Sequence, residues 1–433
     1  MKRRQFVKTA LAAGVMTRGV TWAGQTRAPS DRVNIAMIGV NGRGMSLISS
    51  FAALPNAQIV AICDTDQRVW AKATDAVQKI SGKAPKALSD LRRVLDDKSI
   101  DGVVIATPDH WHAPAAILAC QAGKDVYVEK PASHNLREGR LMVNAARQYN
   151  RVVQHGTQSR SRPSTQRAIE YIKSGKIGKV LMAKAWDVQL RDDIGHAEDS
   201  PVPAGVDYET WTGPALMLPF NLNRFHYKWH WNWNYGTGDA GNDGVHQIDI
   251  ARWALGVDYP TEAAGLARKL FFRDDQVTPD TMNVSFNCGD KMILFEMRIW
   301  NPYRMEGVDN GVAIYGSDGM VHIGRWAGKT GFKVFDAKGT EILFDNANEP
   351  DTHAANFVDC IRSRKAPNAE IEIGHISTSY AHLANVVART SKAIRFDPKT
   401  ETIVGDADAS RFLTRQYRKH WGTPKDADTT SKN

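Results

Sequence analysis

The chain of 433 residues is 42% hydrophobic and 24% charged, the balance of a globular protein long enough for two or three domains, which excludes a disordered chain, a collagen-like repeat and a disulfide scaffold. Its 56 Lys and Arg against 47 Asp and Glu give a formal charge of +9, but Lys2, Arg3, Arg4, Lys8 and Arg18 sit in a segment read as removable, so the surplus on the body is too thin to argue for nucleic acid. Cys63, Cys120, Cys288 and Cys360 are widely spaced without a C-x-x-C pair, which signals neither zinc nor a thiol redox motif and predicts buried thiols.

Residues 1–28 read as an export segment and linker: a basic start, an apolar stretch from Ala10 to Met16, then small residues around Ala23. Arg3-Arg4-Gln5-Phe6-Val7-Lys8 matches the twin-arginine pattern. The apolar stretch is far short of the roughly 20 residues that span a bilayer, so no stable membrane insertion is expected. The expectation is passage through the twin-arginine export machinery to the periplasm or medium. That route carries folded proteins, so a cofactor inserted beforehand would travel with the chain.

Arg32 to Ile38 reads as a short apolar strand, followed directly by Gly39-Val40-Asn41-Gly42-Arg43-Gly44 and a helical segment, Met45 to Ala53. Further strands are expected at Ala57 to Cys63, Gly102 to Ala106 and Asp125 to Val128. Strands alternating with helices at this spacing imply right-handed β-α-β units and a parallel sheet, an α/β Rossmann domain over 29–157. From about Gly156 the pattern changes. A helix at Ser164 to Lys173 leads into strands at Val180 to Val188, Thr281 to Asn287, Lys291 to Arg298 and Val312 to Tyr315. These predict an α+β domain with an open, largely antiparallel sheet over 158–395, with helices at Asp351 to Ile361 and Ser377 to Ala393 and a C-terminal extension over 396–433.

The first turn of a dinucleotide fold needs glycine for its bend, for the approach of pyrophosphate and for helix packing. Gly39 and Gly44 hold the first and third places of G-x-G-x-x-G. Asn41 holds the middle one, beside Gly42, and Arg43 follows. Asp64 ends the second strand where an acidic group would accept from the adenine-ribose hydroxyls and repel a 2′-phosphate, which favours NAD over NADP.

Three further stretches resemble the Gfo/Idh/MocA family of nicotinamide-dependent sugar oxidoreductases: Thr107-Pro108 with His112, Glu129-Lys130-Pro131, and the aromatic-to-histidine stretch from Trp229 to Asp249. The resemblance runs from Val33 to about Trp421. It implies that Lys130 donates to the substrate hydroxyl beside the nicotinamide and that Thr107, Pro108, His112 and Glu129 border the cofactor. The family's second signature, Asp-x-Gly-x-His-x-x-Asp, is rendered as Asn242-Asp243-Gly244-Val245-His246-Gln247-Ile248-Asp249. Asn242 stands where an Asp is usual and can only orient by hydrogen bonding. On a regular helical turn Asp243 points elsewhere, though it is counted among candidate substrate contacts. The acid-base burden then falls on His246, since a hydroxyl that loses hydride must also lose its proton to a base tuned near the working pH. Lys130 would stabilise the developing alkoxide.

Trp229-His230-Trp231-Asn232-Trp233-Asn234-Tyr235 suits a sugar pocket, with Trp231 and Tyr235 as candidate contacts; its period-two alternation equally suits a core strand. Gln158, Arg160 and Arg162 either line the cleft or form a solvated face. His353, His375 and His382 are expected to be structural, and no metal site is expected. The leading expectation is an exported enzyme moving hydride between a sugar or glycoside hydroxyl, at C3, and tightly bound NAD. The alternatives are a redox-neutral glycosidase working by oxidation, elimination, water addition and re-reduction, and a non-catalytic nucleotide-binding protein. By resemblance the chain is expected to form a homo-oligomer.

Overall fold

The computed structural model describes residues 32–347 and 349–427; the export segment expected at residues 1–28 lies outside the described residues. Val33–Ile38 (β1), Ala57–Cys63 (β2), Lys86–Leu88 (β3), Gly102–Ile105 (β4), Asp125–Val128 (β5) and Val153–His155 (β6) form a six-stranded sheet in the order β3-β2-β1-β4-β5-β6. Every pairing in it is parallel. The strands are connected through helices Arg43–Ala52 (α1), Trp70–Ser81 (α2), Leu91–Asp96 (α3), Asp109–Gln121 (α4) and Leu136–Gln148 (α5). α1 turns Leu47, Ile48 and Phe51 into the core. α5 starts where the Asn135 side chain accepts from the Glu138 amide at 3.0 Å. The order reverses between β1 and β4, which opens the crevice at the carboxyl ends of the strands where ligands bind in such sheets.

The chain then runs through Pro163–Lys173 (α6), Val180–Val188 (β7), a long excursion with the short helix Tyr208–Thr212 (α7), and Val245–Leu255 (α8). Strands Glu262–Arg268 (β8), Thr281–Asn287 (β9), Met292–Arg298 (β10), Asn310–Gly316 (β11), Gly319–Trp326 (β12), Lys329–Asp336 (β13) and Glu341–Asp345 (β14) follow. Helices His353–Ser363 (α9) and Ile371–Thr390 (α10) lead to Ile394–Asp397 (β15) and Thr402–Ile403 (β16). The second sheet is ordered β14-β13-β12-β11-β7-β10-β9-β8-β15-β16, antiparallel except for β7 against β10. In β9 Met282, Val284 and Phe286 are buried while Asn283 and Asn287 are exposed, the alternation of a sheet with one packed face.

Three features differ from the reading of the sequence. α10 begins six residues before Ser377, because the Glu370 side chain accepts from the Glu372 amide at 2.9 Å and caps it there. α9 belongs to the first domain's core, where Phe357 packs edge-on against Phe51 and Tyr127. The boundary expected at 395/396 falls inside β15, which pairs with β8, and the segment after it returns to the first domain, where Trp421 lies against Trp111. Cys63, Cys120 and Cys360 are buried, Cys288 is half-buried, and all four are unpaired thiols. Among the described residues no helix is long and apolar enough to cross a membrane.

Candidate active site

A cavity of about 490 Å³ lies at the switch point of the parallel sheet, within the size range of cofactor and small-ligand sites. One end is the glycine turn. Gly39 has φ +80°, and a Cβ there would stand 2.6 Å from the Ala106 carbonyl oxygen. A Cβ on Gly44 would overlap the Gly39 carbonyl oxygen, so both places accept only glycine. Gly42 faces open space, and no side chain caps α1, whose N-terminus is left open to the cavity. That end offers N–H groups and a favourable dipole to pyrophosphate. Asp64 borders the same space, its two oxygens accepting from the Val40 and Asp66 amides at 2.9 Å each. Burial pushes this carboxyl up against the pull of those amides. The groove thus fits an extended dinucleotide, whose pyrophosphate Gly39, Asn41, Gly42 and Arg43 would hold and whose adenosine ribose would meet Asp64.

The excursion between β7 and α8 closes this groove from above. Asp66 pairs with Val206, the Asp207 amide donates to Thr65 O at 2.9 Å, and the Trp111 indole donates to Thr210 O at 3.0 Å. His226 stands between the glycine turn and β2's end, 3.1 Å from Asn41 Nδ2 and 2.8 Å from Asp66 Oδ2. Arg191, Trp211, Tyr227, Trp229 and His230 of this excursion all line the cavity.

The other end holds the Glu129-Lys130-Pro131 turn at the end of β5. Lys130 Nζ donates to Asn242 Oδ1 at 2.7 Å, and Asn242 Nδ2 donates to Asp239 Oδ1 at 2.6 Å. A carboxylate only accepts, so Asp239 fixes the amide with its oxygen toward Lys130. Arg191 clamps Asp239 at 3.0 and 3.1 Å and also pairs with Asp243. Although burial opposes it, Lys130 and Arg191 hold Asp243 low. Burial and its acidic neighbours push Asp187, which shares Gln189 with Asp243, well above the usual range. Glu129 accepts from Arg43 at 2.9 Å and from Tyr127 and Gln158 at 3.2 Å. Against the cost of burial, Arg43 and Lys130 hold it down to about 2.

Asn41, Gly42, Arg43, Asp64, Thr107, Pro108, His112, Glu129, Lys130, Asn242 and Asp243 meet around this one cavity. His112 also ties two of its loops together, its ring nitrogens lying 2.6 Å from Pro131 O and 2.8 Å from Thr107 O. Asp243 reaches the wall because Ala240–Gly244 winds as a π-helical turn, whose wider spiral brings neighbouring side chains nearer one face than a regular helix does. His246 follows on the first turn of α8, half-buried and off the cavity wall, and forms no hydrogen bond among the described residues. Burial, with Lys130 second, pushes its imidazole down to about 4.

Four candidate contacts lie elsewhere. Arg160 is buried and forms an ion pair with Asp249 at 2.9 Å, and Ser377 donates to the same carboxylate at 2.6 Å. Gln158 is drawn behind Glu129 and off the wall. Trp231 and Tyr235 are 2% and 0% exposed. The aromatic run is a 3₁₀ turn, His226–Trp231, followed by a loop, not a strand. It staples the excursion to the body, the His110 amide donating to Tyr235 O at 3.1 Å and His134 Nε2 lying 3.0 Å from Trp233 O. The histidines expected to be structural are so placed: His353 lies 2.7 Å from Ser161 Oγ, His375 3.2 Å from Glu401, and His382 3.3 Å from Ser133. Asp239, Arg191, His226 and His230 carry no motif of their own, and only their place beside the aromatic run and Asn242 could have pointed to them.

Residues 33–157 match an oxidoreductase family described by its NAD-binding Rossmann fold, and residues 183–284 and 309–423 match the same family's C-terminal alpha/beta domain. A glycosyl hydrolase family 109 protein from Stenotrophomonas maltophilia is 37% identical over 144 residues, 32% of this chain and 31% of that protein. Levoglucosan dehydrogenase from Pseudarthrobacter phenanthrenivorans is 28% identical over 227 residues, 52% of this chain and 51% of that enzyme. The chain thus spans about a third to a half of the length of these curated relatives. Among solved structures, levoglucosan dehydrogenase with NADH and levoglucosan superposes with a TM-score of 0.65 at 19% identity, over 84% of this chain and 99% of that one. The WlbA dehydrogenase from Bordetella pertussis, with NADH and UDP-GlcNAcA, gives 0.64 at 19% identity over 84% and 99%. With its glycine turn, its Glu-Lys-Pro strand end and both halves of the fold matched, the chain belongs to the Gfo/Idh/MocA oxidoreductase family.

Proposed function

We propose that the protein oxidises a hydroxyl of a sugar or glycoside, at C3, with tightly held NAD. The observation that carries this is the continuity of one cavity, from the glycine turn and Asp64 at one end to Lys130, Asn242 and Asp243 at the other. NAD, when bound, supplies the hydride acceptor. Asp64, a carboxylate at the ribose position, favours NAD over NADP. The excursion that arches over the groove supports slow release of the cofactor.

Lys130, steadied by Asn242, donates to the substrate oxygen and stabilises negative charge that develops there. Asn242 cannot take a proton, so the hydroxyl proton is assigned to the neutral imidazole of His246, a weaker base than the sequence predicts, which stands off the cavity wall and must turn toward bound substrate to take it. Its depressed basicity keeps it neutral at physiological pH. Asp243 and Arg191 offer an acceptor and donors to neighbouring hydroxyls. The twin-arginine pattern supports export of the folded protein with its cofactor, and a homo-oligomer belongs to the same reading.

Redox-neutral cleavage of a glycoside is the second reading, favoured by the 37% identity to a glycosyl hydrolase family 109 protein. Incubation with aryl glycosides and no electron acceptor separates the two: free aglycone supports cleavage, and a stalled, reduced cofactor supports net oxidation. Denatured protein that releases no nicotinamide cofactor and fails to bind added NAD contradicts both, and so favours neither enzyme.

A further inference from the structure

Residues 414–427 leave the second domain and cross back to the first. The Thr414 hydroxyl closes this segment on itself by donating to Ala427 O at 2.6 Å. Arg415 roots it, pairing with the buried Glu138 of α5 at 2.9 Å and donating to His110 O of α4 at 3.0 Å. Arg418 then reaches the excursion. Its amide donates to Pro214 O at 3.2 Å, its Nε to Gly213 O at 2.6 Å and its Nη2 to Glu209 O at 2.7 Å, and it also pairs with the Glu209 carboxylate. These acceptors lie within α7 or just after it. Trp111 of α4 is the peg on which both segments close. Its indole donates to Thr210 O at 3.0 Å; a Cβ on Gly213 would stand 2.3 Å from Cε2 of the ring, and a Cβ on Gly422 2.6 Å from Cη2. Only glycine lets the two backbones approach so closely. Trp421 lies beside the same ring with centroids 5.4 Å apart, and the Arg92 guanidinium covers it at 4.6 Å.

Asp207, one residue before α7, is bonded to Thr65, so α7 covers the end of the cavity that holds Asp64. Trp111, Thr210 and Trp211 line that cavity, and no residue of 414–427 does. We infer that residues 414–427 are a clamp that holds α7 down over the adenosine end of the groove, so that a bound dinucleotide leaves only when Arg418 lets go of α7. The inference rests on the proposed reading of the cavity as a nicotinamide cofactor site. Arg418 grips backbone carbonyls, which fixes the main chain of the cover itself and not a side chain that could swing aside. The clamp acts on exchange of the cofactor and not on hydride transfer, because Lys130 and Asn242 stand at the opposite end. Such a device suits an enzyme whose cofactor is oxidised and reduced in place.

Release of NADH, followed by its fluorescence on mixing with excess ADP-ribose, tests the clamp. Arg418→Ala is expected to release NADH about 10- to 100-fold faster than the wild-type protein, the scale of one or two lost bonds to a charged donor. Gly422→Ala, which sets a methyl against Trp111, is expected to act in the same direction. In both variants single-turnover reduction of bound NAD by sugar is expected to keep its wild-type rate. Hydrogen exchange on the wild-type protein reads the coupling without a variant: ADP-ribose is expected to slow exchange in residues 414–427, which do not border the cavity, together with residues 207–214. Wild-type release from both variants, or a tail whose exchange ignores ADP-ribose, overturns the clamp; if sugars still reduce the bound cofactor, the oxidation reading stands without it. Fast release from the variants with no reduction by any sugar keeps the clamp and sinks the oxidation reading. A protein that binds neither NADH nor ADP-ribose overturns both.

Discussion

Lys130 is held by a relay that ends in a full carboxylate: its ammonium meets Asn242, Asn242 is turned by Asp239, and Asp239 is clamped by Arg191. The family's usual Asp is thus displaced by one hydrogen bond, its negative charge standing behind an amide. Lys130→Ala is expected to lower turnover by about 10³-fold or more, the scale of a lost proton donor together with a lost electrostatic stabiliser, while NAD binding followed by fluorescence persists. An acceptor imidazole works only when neutral, and His246 is held to about 4. The acid limb of kcat/KM is therefore expected near pH 4 in place of the ordinary value of about 6.5, which a pH-rate profile checks. Lys130, Asn242, Asp64 and the glycine turn were legible because the chemistry fixes both residue type and spacing along the chain. Arg160, Trp231 and Tyr235 were misplaced because composition does not say which way a side chain faces, and each proved more valuable as packing. His230, His226, Arg191 and Asp239 come from an excursion whose course depends on contacts distant in sequence.

At the scale of elements, the excursion and α10 set the site. Through Ser377, α10 reaches the Arg160–Asp249 pair that anchors α8, and through Thr378 it receives the Ala132 amide of the Lys130 turn at 3.2 Å. Arg160→Ala leaves Asp249 charged and buried without its cation, so a loss of about 3–5 kcal/mol in unfolding free energy is expected from denaturant titration. His226 links the excursion to the glycine turn and to Asp66. His226→Ala is expected to speed release of bound NAD by about tenfold, the value of one hydrogen-bonded link of about 1.4 kcal/mol; an unchanged rate in a stopped-flow chase contradicts its role as a strap. The parallel strands were readable because each is a short apolar run followed by a turn signal. β12 to β14 went unrecognised because their pattern is interrupted by glycine and charge. α10 was placed late because Gly374 and the β-branched Ile371, Ile373 and Ile376 lower the helical propensity of its first turns, and the start is set by the Glu370 cap.

The whole molecule buries a set of neutral histidines as it folds. Burial pushes His110, His155 and His382 down to about 3, below the value of about 6.5 they take in the unfolded chain. The unfolded state therefore binds protons first, and this contribution to stability is complete above about pH 6.5 and is lost as pH falls toward 3. Each such group adds a slope of about 1.4 kcal/mol per pH unit within that window. Asp109, raised to about 7 by burial, works in the opposite direction over part of the range. The balance predicts a lower urea midpoint at about pH 5 than at about pH 7.5, and an equal or higher one contradicts it. The account's central claim is that one cavity presents a sugar carbon both to Lys130 and to a resident nicotinamide. The most direct test is to add glucosides deuterated at C3 to the protein as purified and follow reduction of its own cofactor. The account predicts reduction of up to one cofactor per chain, slowed by the deuterium and abolished in Lys130→Ala; a cofactor that binds yet is reduced by no sugar of a broad panel contradicts it.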